Sequence, residues 1–269
     1  MKAFALSQSL LFACLCTGGF ADRGVESSLV ESSSPHIGTG GAPGSEKTPL
    51  AAGTGPAAAT APELNSVPAD PSAPRIQKLG DGRIVVGLVT VDPERRQISF
   101  PAKVNQRSGL VEYAVVTSKG KVHESVFVTE AAPTHIHMAA LLLKLAPLEG
   151  LAEPVKLAVE VEWQLDGSAR RESMDRFIVH TKDAGASRAG STLPREAWHY
   201  AGSVLNDGVL VAEAEGSVIA LITDEAALIQ NPRAGRVDDE LHAPNPALLL
   251  EQGCAVVVHL VQAGAREAK

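Results

Sequence analysis

Aromatic residues are scarce in this chain: six Phe, two Tyr and two Trp supply 4% of its 269 residues. A core built without them must draw on Val, Leu, Ile and Ala, and a Val-rich core favours strands. Basic residues are also in deficit, with 24 Lys and Arg against 31 Asp and Glu and a formal net charge of -7. That leaves no basic stripe to neutralise phosphates, so no nucleic-acid partner is expected and anionic lipid is disfavoured. Every apolar run falls short of the roughly 20 residues that a helix needs to cross a bilayer, and no transmembrane span is expected. Cysteine is limited to Cys14, Cys16 and Cys254. If the leading apolar run is removed, Cys254 alone remains; it cannot form an internal disulfide, and its apolar surroundings read as those of a buried, inert thiol. The signatures of known chemistries are missing too. There is no His-Glu-x-x-His and no phosphate loop, and Gly185-Ala186-Ser187-Arg188-Ala189-Gly190 is mis-spaced by one for a nucleophile elbow.

What is present begins with a leader. Lys2, an apolar run from Ala3 to Cys16, and small residues up to Ala21 follow the grammar of a secretory signal over residues 1–21, with Gly19 and Ala21 suiting cleavage after Ala21. Leu11-Phe12-Ala13-Cys14 reads alternatively as a lipobox, which would make Cys14 a lipid anchor. Residues 22–75 are rich in Gly, Ala, Pro, Ser and Thr and show neither helical nor strand periodicity, the composition of a disordered linker. A coil of about 50 residues would span on the order of 40 Å. The expected location is extracytoplasmic, periplasmic or secreted.

Residues 76–269 read as one folded domain. Ile84 to Val91 and Gln97 to Phe100 read as strands, and Leu110 to Thr117 with Val122 to Thr129 as a β-hairpin across Ser118-Lys119-Gly120-Lys121. Ile136 to Leu145 reads as a helix, apolar on nearly every side and therefore buried. Val155 to Trp163 and Glu172 to His180 flank Asp166-Gly167, a strong hairpin signal. Trp198 to Leu205 and Ser217 to Thr223 look like strands, Asp224 caps a short helix over 225–230, a helical turn covers Pro246 to Leu250, and Cys254 to Val261 closes the chain. The expected class is α+β, mostly antiparallel β-hairpins with two or three short helices.

The densest polar cluster is Lys121, His123, Glu124 and Ser125. On a continuous strand, alternation would turn His123 and Ser125 to one face and Glu124 to the apolar face of Val122, Val126 and Val128. That excludes a local Ser-His-Glu triad and leaves Glu124 as a carboxylate needing a partner or a raised pKa. His123, His135 and His137 form a metal reading only if the segment before the helix is extended, because side chains two apart on a helix diverge. Asp238, Asp239 and Glu240 with Asn245 lack the alternation of a calcium loop and read as a solvated acidic segment. Trp163 and Trp198 read as core residues, with Trp198 alternatively lining a cleft.

The stretch from Gly109-Leu110-Val111-Glu112-Tyr113 through Gly120-Lys121-Val122-His123-Glu124-Ser125 to Val128-Thr129-Glu130-Ala131 and the His135 to Leu143 segment resembles the YdjY-type domain of exported bacterial proteins. Gly216 to Asp224 fits the same resemblance. The resemblance implies an extracytoplasmic domain without assigned chemistry. The ferredoxin-like label of some members implies a cysteine-held cluster that this domain lacks, and no cofactor is named by the residues. The expectation is a binding or interaction domain on a flexible tether, leaning away from catalysis, with a protein or cell-wall partner. The alternative is a metal-dependent enzyme or carrier using His123, Glu124, His135 and His137.

Overall fold

The structure is a computed structural model describing residues 75–145 and 154–264. The expected signal, nearly all of the linker, and Cys14 lie outside the described residues.

In chain order the strands are β1 (Ile76–Lys78), β2 (Ile84–Val86), β3 (Val89–Asp92), β4 (Gln97–Val104), β5 (Tyr113–Thr117) and β6 (Ser125–Thr129). Helix α1 (Pro133–Leu142) precedes β7 (Val155–Leu165), β8 (Ser168–Ser173), β9 (Ile178–His180), β10 (Trp198–Tyr200), β11 (Leu205–Asn206) and β12 (Val209–Leu210). Helix α2 (Val211–Glu215) leads to β13 (Ser217–Ala220), β14 (Ile229–Gln230), β15 (His242–Pro244) and β16 (Ala255–Gln262).

The long strands alternate as half-buried strands must. Ile98, Phe100, Ala102 and Val104 of β4, Leu157, Val159, Val161 and Trp163 of β7, and Val256, Val258 and Leu260 of β16 are all buried in one core. Full burial of a Val, Leu or Ile contributes about 1.5–3 kcal/mol, so aliphatic side chains carry the interior and the few aromatics fill it. Phe177 meets Phe127 and Trp163 edge-on, with ring centroids 5.5 and 5.7 Å apart.

Pairing runs β4, β16, β7, β10, β14, β13, β5, β6, and β6 returns to β4 through Lys103 opposite Val128 and Val104 opposite Phe127. Eight strands therefore close into a barrel, which removes the open edges of a sheet. Along one edge β4 meets β3 at Gln97 to Ser99 and β6 at Lys103 and Val104. Pro101 sits at this change of partner, where a missing N–H costs no ladder bond, and its carbonyl accepts the Thr129 hydroxyl at 2.6 Å.

Strands β1 to β3 extend from β4 beyond the barrel, and β8 extends from β7. The β9–β15 and β11–β12 pairs are separate two-stranded ribbons.

The α+β expectation is corrected by this closure: of the described residues 41% are in strands and 12% are helical, with two α-helices among them. The expected hairpin of β5 and β6 is a parallel pair, Tyr113 opposite Ser125 and Val115 opposite Phe127. A 3-10 turn at Val122–Glu124 carries the chain back to the start of β5, so the Ser118 to Lys121 turn begins a crossover. Ile84 to Val91 is two strands bent at Gly87, whose φ is 58°. Asp166 and Gly167, at φ 50° and 74°, do form the tight hairpin of β7 and β8. After Ser173, however, the chain turns away and pairs β9 with β15. Trp198 to Leu205 and Ser217 to Thr223 form shorter strands than expected. Asp224 accepts the Ala226 N–H at 2.9 Å, which makes a turn into β14 in place of the helix expected there. Pro246 to Leu250 is likewise not helical. Helix α1 buries Ile136, Ala139 and Ala140 but leaves Leu141 and Leu142 about half exposed, so it is covered on one side only.

Candidate functional site

The outward face of β3, β4, β16, β7 and β8 holds polar side chains in a single register line: Thr90 opposite Ser99, Ser99 opposite His259, His259 opposite Glu160, Glu160 opposite Ser173. Directly opposed residues have Cβ atoms roughly 4.5–5.5 Å apart, close enough for side chains to bond across strands. Ser99 Oγ lies 2.8 Å from His259 Nδ1 and accepts the Gln97 amide N–H at 3.0 Å. His259 Nε2 lies 3.3 Å from Glu162 Oε2. Arg171 pairs with Glu160 and donates to Gln97 Oε1 at 2.9 Å, tying the row together. With the ring proton on Nε2, Ser99 donates to Nδ1, and the Glu162 carboxylate stands near the ring's other nitrogen.

Over this row lies a cavity of about 520 Å³, lined by Asp81, Gly82, Arg83 and the Asp92 to Arg95 turn as well as by Thr90, Gln97, Ser99 and His259. Its walls exist because β1 to β3 run past the barrel and bring the Asp81–Arg83 turn and the turn after β3 above the outer face of β4. Charges of both signs line it. Arg83 pairs with Asp81 at 2.7 Å, Arg95 faces Asp92 at 3.5 Å, and Glu94 stands beside them. His259, 6% exposed, is the buried polar residue of the floor. None of these residues was singled out from the sequence. The available signal was a histidine inside the Val256 to Val261 run and two glutamates, Glu160 and Glu162, spaced two apart in β7.

The sequence-derived cluster sits elsewhere and is differently arranged. Lys121 donates to the Tyr113 hydroxyl at 3.1 Å, its ammonium lies 5.1 Å from that ring's centre, and Glu112 is 3.7 Å away. Tyr113 in turn donates to Asp224 Oδ2 at 3.0 Å. Glu124 is not on an apolar strand face, because the 3-10 turn removes it from the alternation; its side chain is one-third exposed and faces His123 at 3.4 Å. Burial, then the neighbouring Glu124 charge, pushes Glu112 above the usual carboxylate range. Within this cluster the carboxyl held high is Glu112, whose backbone N–H donates to Glu124 O at 2.9 Å. Ser125 is fully buried; its hydroxyl donates to Val122 O at 3.3 Å and accepts from Asn105 at 3.1 Å, a structural role.

The metal reading of His123, His135 and His137 is not supported. His123 is exposed at Glu124, His135 packs on Gly87, and His137 Nδ1 lies 2.9 Å from the Tyr200 hydroxyl. Among the described residues no three His, Cys, Asp or Glu side chains converge to hold an ion. Asp238 and Glu240 pair with Lys182 at 2.9 and 3.4 Å, and Asn245 donates to Arg176 O at 2.7 Å. Trp198 lines no cleft: it is fully buried, its Nε1 donates to Asp175 at 3.1 Å, and the Arg233 guanidinium lies 4.8 Å from its ring centre. Arg233 pairs with Asp175 in the interior and donates to Pro194 O, Asn231 Oδ1 and Glu196 O at 2.7, 3.0 and 2.7 Å. All three guanidinium nitrogens donate, which supports a buried ion pair. Cys254 is half-buried against the core.

A closed eight-stranded barrel with a polar cavity on its outer face defines the class of this domain. No protein family, no curated protein and no solved structure matches the chain.

Proposed function

We propose that the domain is a binding module that takes a small zwitterionic ligand in the cavity above Ser99 and His259, held outside the cytoplasm on the linker of residues 22–75. The observation that carries this reading is the cavity itself. At about 520 Å³ it falls within the roughly 300–1,000 Å³ of small-molecule sites, and convergent polar groups are what orient a ligand there. Arg83 and Arg95 line it together with Asp81, Asp92 and Glu94, so a ligand carrying both charges meets groups of each sign. Ser99, hydrogen-bonded to His259, offers a further polar contact at the floor. The exported setting is supported by the signal-like leader and by the likeness of Gly120 to Ser125 to the YdjY-type domain.

Thermal unfolding with free α-amino acids, neutral monosaccharides and dicarboxylates in parallel tests the reading. A zwitterionic amino acid is expected to raise the midpoint, with stabilisation of about 2.7 kcal/mol at a hundredfold excess over Kd. Ser99→Ala and Arg83→Ala are each expected to abolish the shift while leaving the unliganded protein folded. A shift that persists in both variants, or none with any zwitterion, overturns the proposal.

A further inference from the structure

Two histidines outside the cavity face each other across the β9–β15 ribbon. His180 and His242 are directly opposed in register, with ring centres 5.7 Å apart and planes tilted by 55°. They are 2% and 0% exposed, and no group among the described residues hydrogen-bonds to Nδ1 or Nε2 of either ring. Their backbones are engaged: His180 N–H donates to Ser191 O, Gly190 N–H to His180 O, and Val111 N–H to His242 O. The rings are thus presented from fixed strands. A buried polar nitrogen without a partner costs about 1–3 kcal/mol, and this ribbon carries four.

We propose that His180 and His242 form a two-coordinate site for a soft monovalent cation, Cu(I), with Ag(I) as its redox-inert equivalent. A 5.7 Å spacing of the ring centres would leave roughly 3.7 Å between nitrogens turned toward each other, near twice a metal–imidazole bond of about 2 Å. Zinc is disfavoured because it takes four ligands, and no third His, Cys, Asp or Glu joins this pair among the described residues. Imidazole suits copper, and monovalent d10 ions accept two opposed ligands. The charge of Arg233 reaches both rings and repels a divalent ion twice as strongly as a monovalent one. Asp175 beside Arg233, and Asp238, whose charge reaches His242, offset that repulsion. Burial holds both rings below the usual histidine range, His242 at about 4, which favours the neutral, ligating form.

The test is anaerobic titration of the full chain with Cu(I) against a chromogenic Cu(I) chelator, with Ag(I) titration followed by imidazole NMR. One ion per chain is expected, with the His180 and His242 ring signals moving together on adding Ag(I) while those of His123, His135 and His137 stay in place. His180→Phe and His242→Phe are each expected to weaken retention on the order of a hundredfold or more, and His137→Phe to leave it unchanged. The NMR arm needs no variant, so it decides the matter even where a phenylalanine disturbs folding. Failure of the wild-type chain to hold Cu(I) or Ag(I), ring shifts at other histidines, or retention by the double Phe variant overturns the proposal.

Discussion

Asp175 and Arg233 are 3% and 4% exposed and pair in the interior beneath Trp198. Removing one partner strands the other's charge, a loss of about 3–5 kcal/mol. Arg233→Met is therefore expected to lower unfolding free energy by that amount in urea titration. The double change Arg233→Met with Asp175→Asn should recover part of it, since no lone charge is then left behind. Glu112 predicts the opposite sign. Its folded pKa is raised, so the folded chain holds that proton more tightly than the unfolded chain. The associated stability is complete below the unfolded value and is lost as pH rises through the folded one. Glu112→Gln should accordingly stabilise the protein at neutral pH by roughly 0.5–1 kcal/mol, and thermal midpoints of the two proteins should coincide near pH 3. The Lys121 contact at 3.7 Å offsets only part of this effect, because that side chain is half exposed. At this scale the sequence reading set Glu124 on an apolar strand face in need of a partner, and in the structure it faces His123 at 3.4 Å. It assumed strand alternation through Glu124, and a 3-10 turn interrupts it.

Among the elements, the crossover from β5 to β6 depends on two glycines brought into contact from distant parts of the chain. Gly216 has φ 71°, and a Cβ there would lie 2.4 Å from Thr117 Oγ1 and 2.7 Å from the backbone of Gly120. A Cβ on Gly120 would lie 3.0 Å from the carbonyl oxygens of Glu215 and Gly216. The Thr117 N–H donates to Gly216 O at 2.8 Å across the same contact. Backbone cannot yield as a flexible side chain can, and positive φ adds strain for any L residue. Gly216→Ala is expected to cost more than about 2 kcal/mol, whereas Gly109→Ala, with nothing within 4 Å, should show only the smaller cost of its φ of 89°. Comparing the two denaturation midpoints separates packing from backbone strain. Gly120 and Gly216 were legible in the sequence, but their meeting was not.

The whole molecule is closed by its last strand. β16 lies between β4 and β7 and pairs with both over most of its length, so the barrel lacks a wall until residues 255–262 are in place. A chain ending at Cys254 would expose the facing edges of β4 and β7 and uncover Phe100 and Val161. It is expected to give no cooperative unfolding transition and no dispersed amide spectrum, whereas the chain ending at Gly264 should retain both.

Local signals in the sequence determined the strand-rich character, the aliphatic core, the Asp166-Gly167 hairpin and the alternation of β4, β7 and β16, because each depends on neighbouring residues alone. Turn chemistry acts over four residues and alternation over eight. Whether β5 and β6 pair parallel or antiparallel, and whether eight strands close, depends on hydrogen bonds between residues far apart in the chain, and composition carries no record of those. The same is true of the sites. Ser99, Glu162 and His259 come from three strands, and His180 and His242 from two. Each is an ordinary polar residue in its own segment, and only the register of the folded sheets sets one beside another.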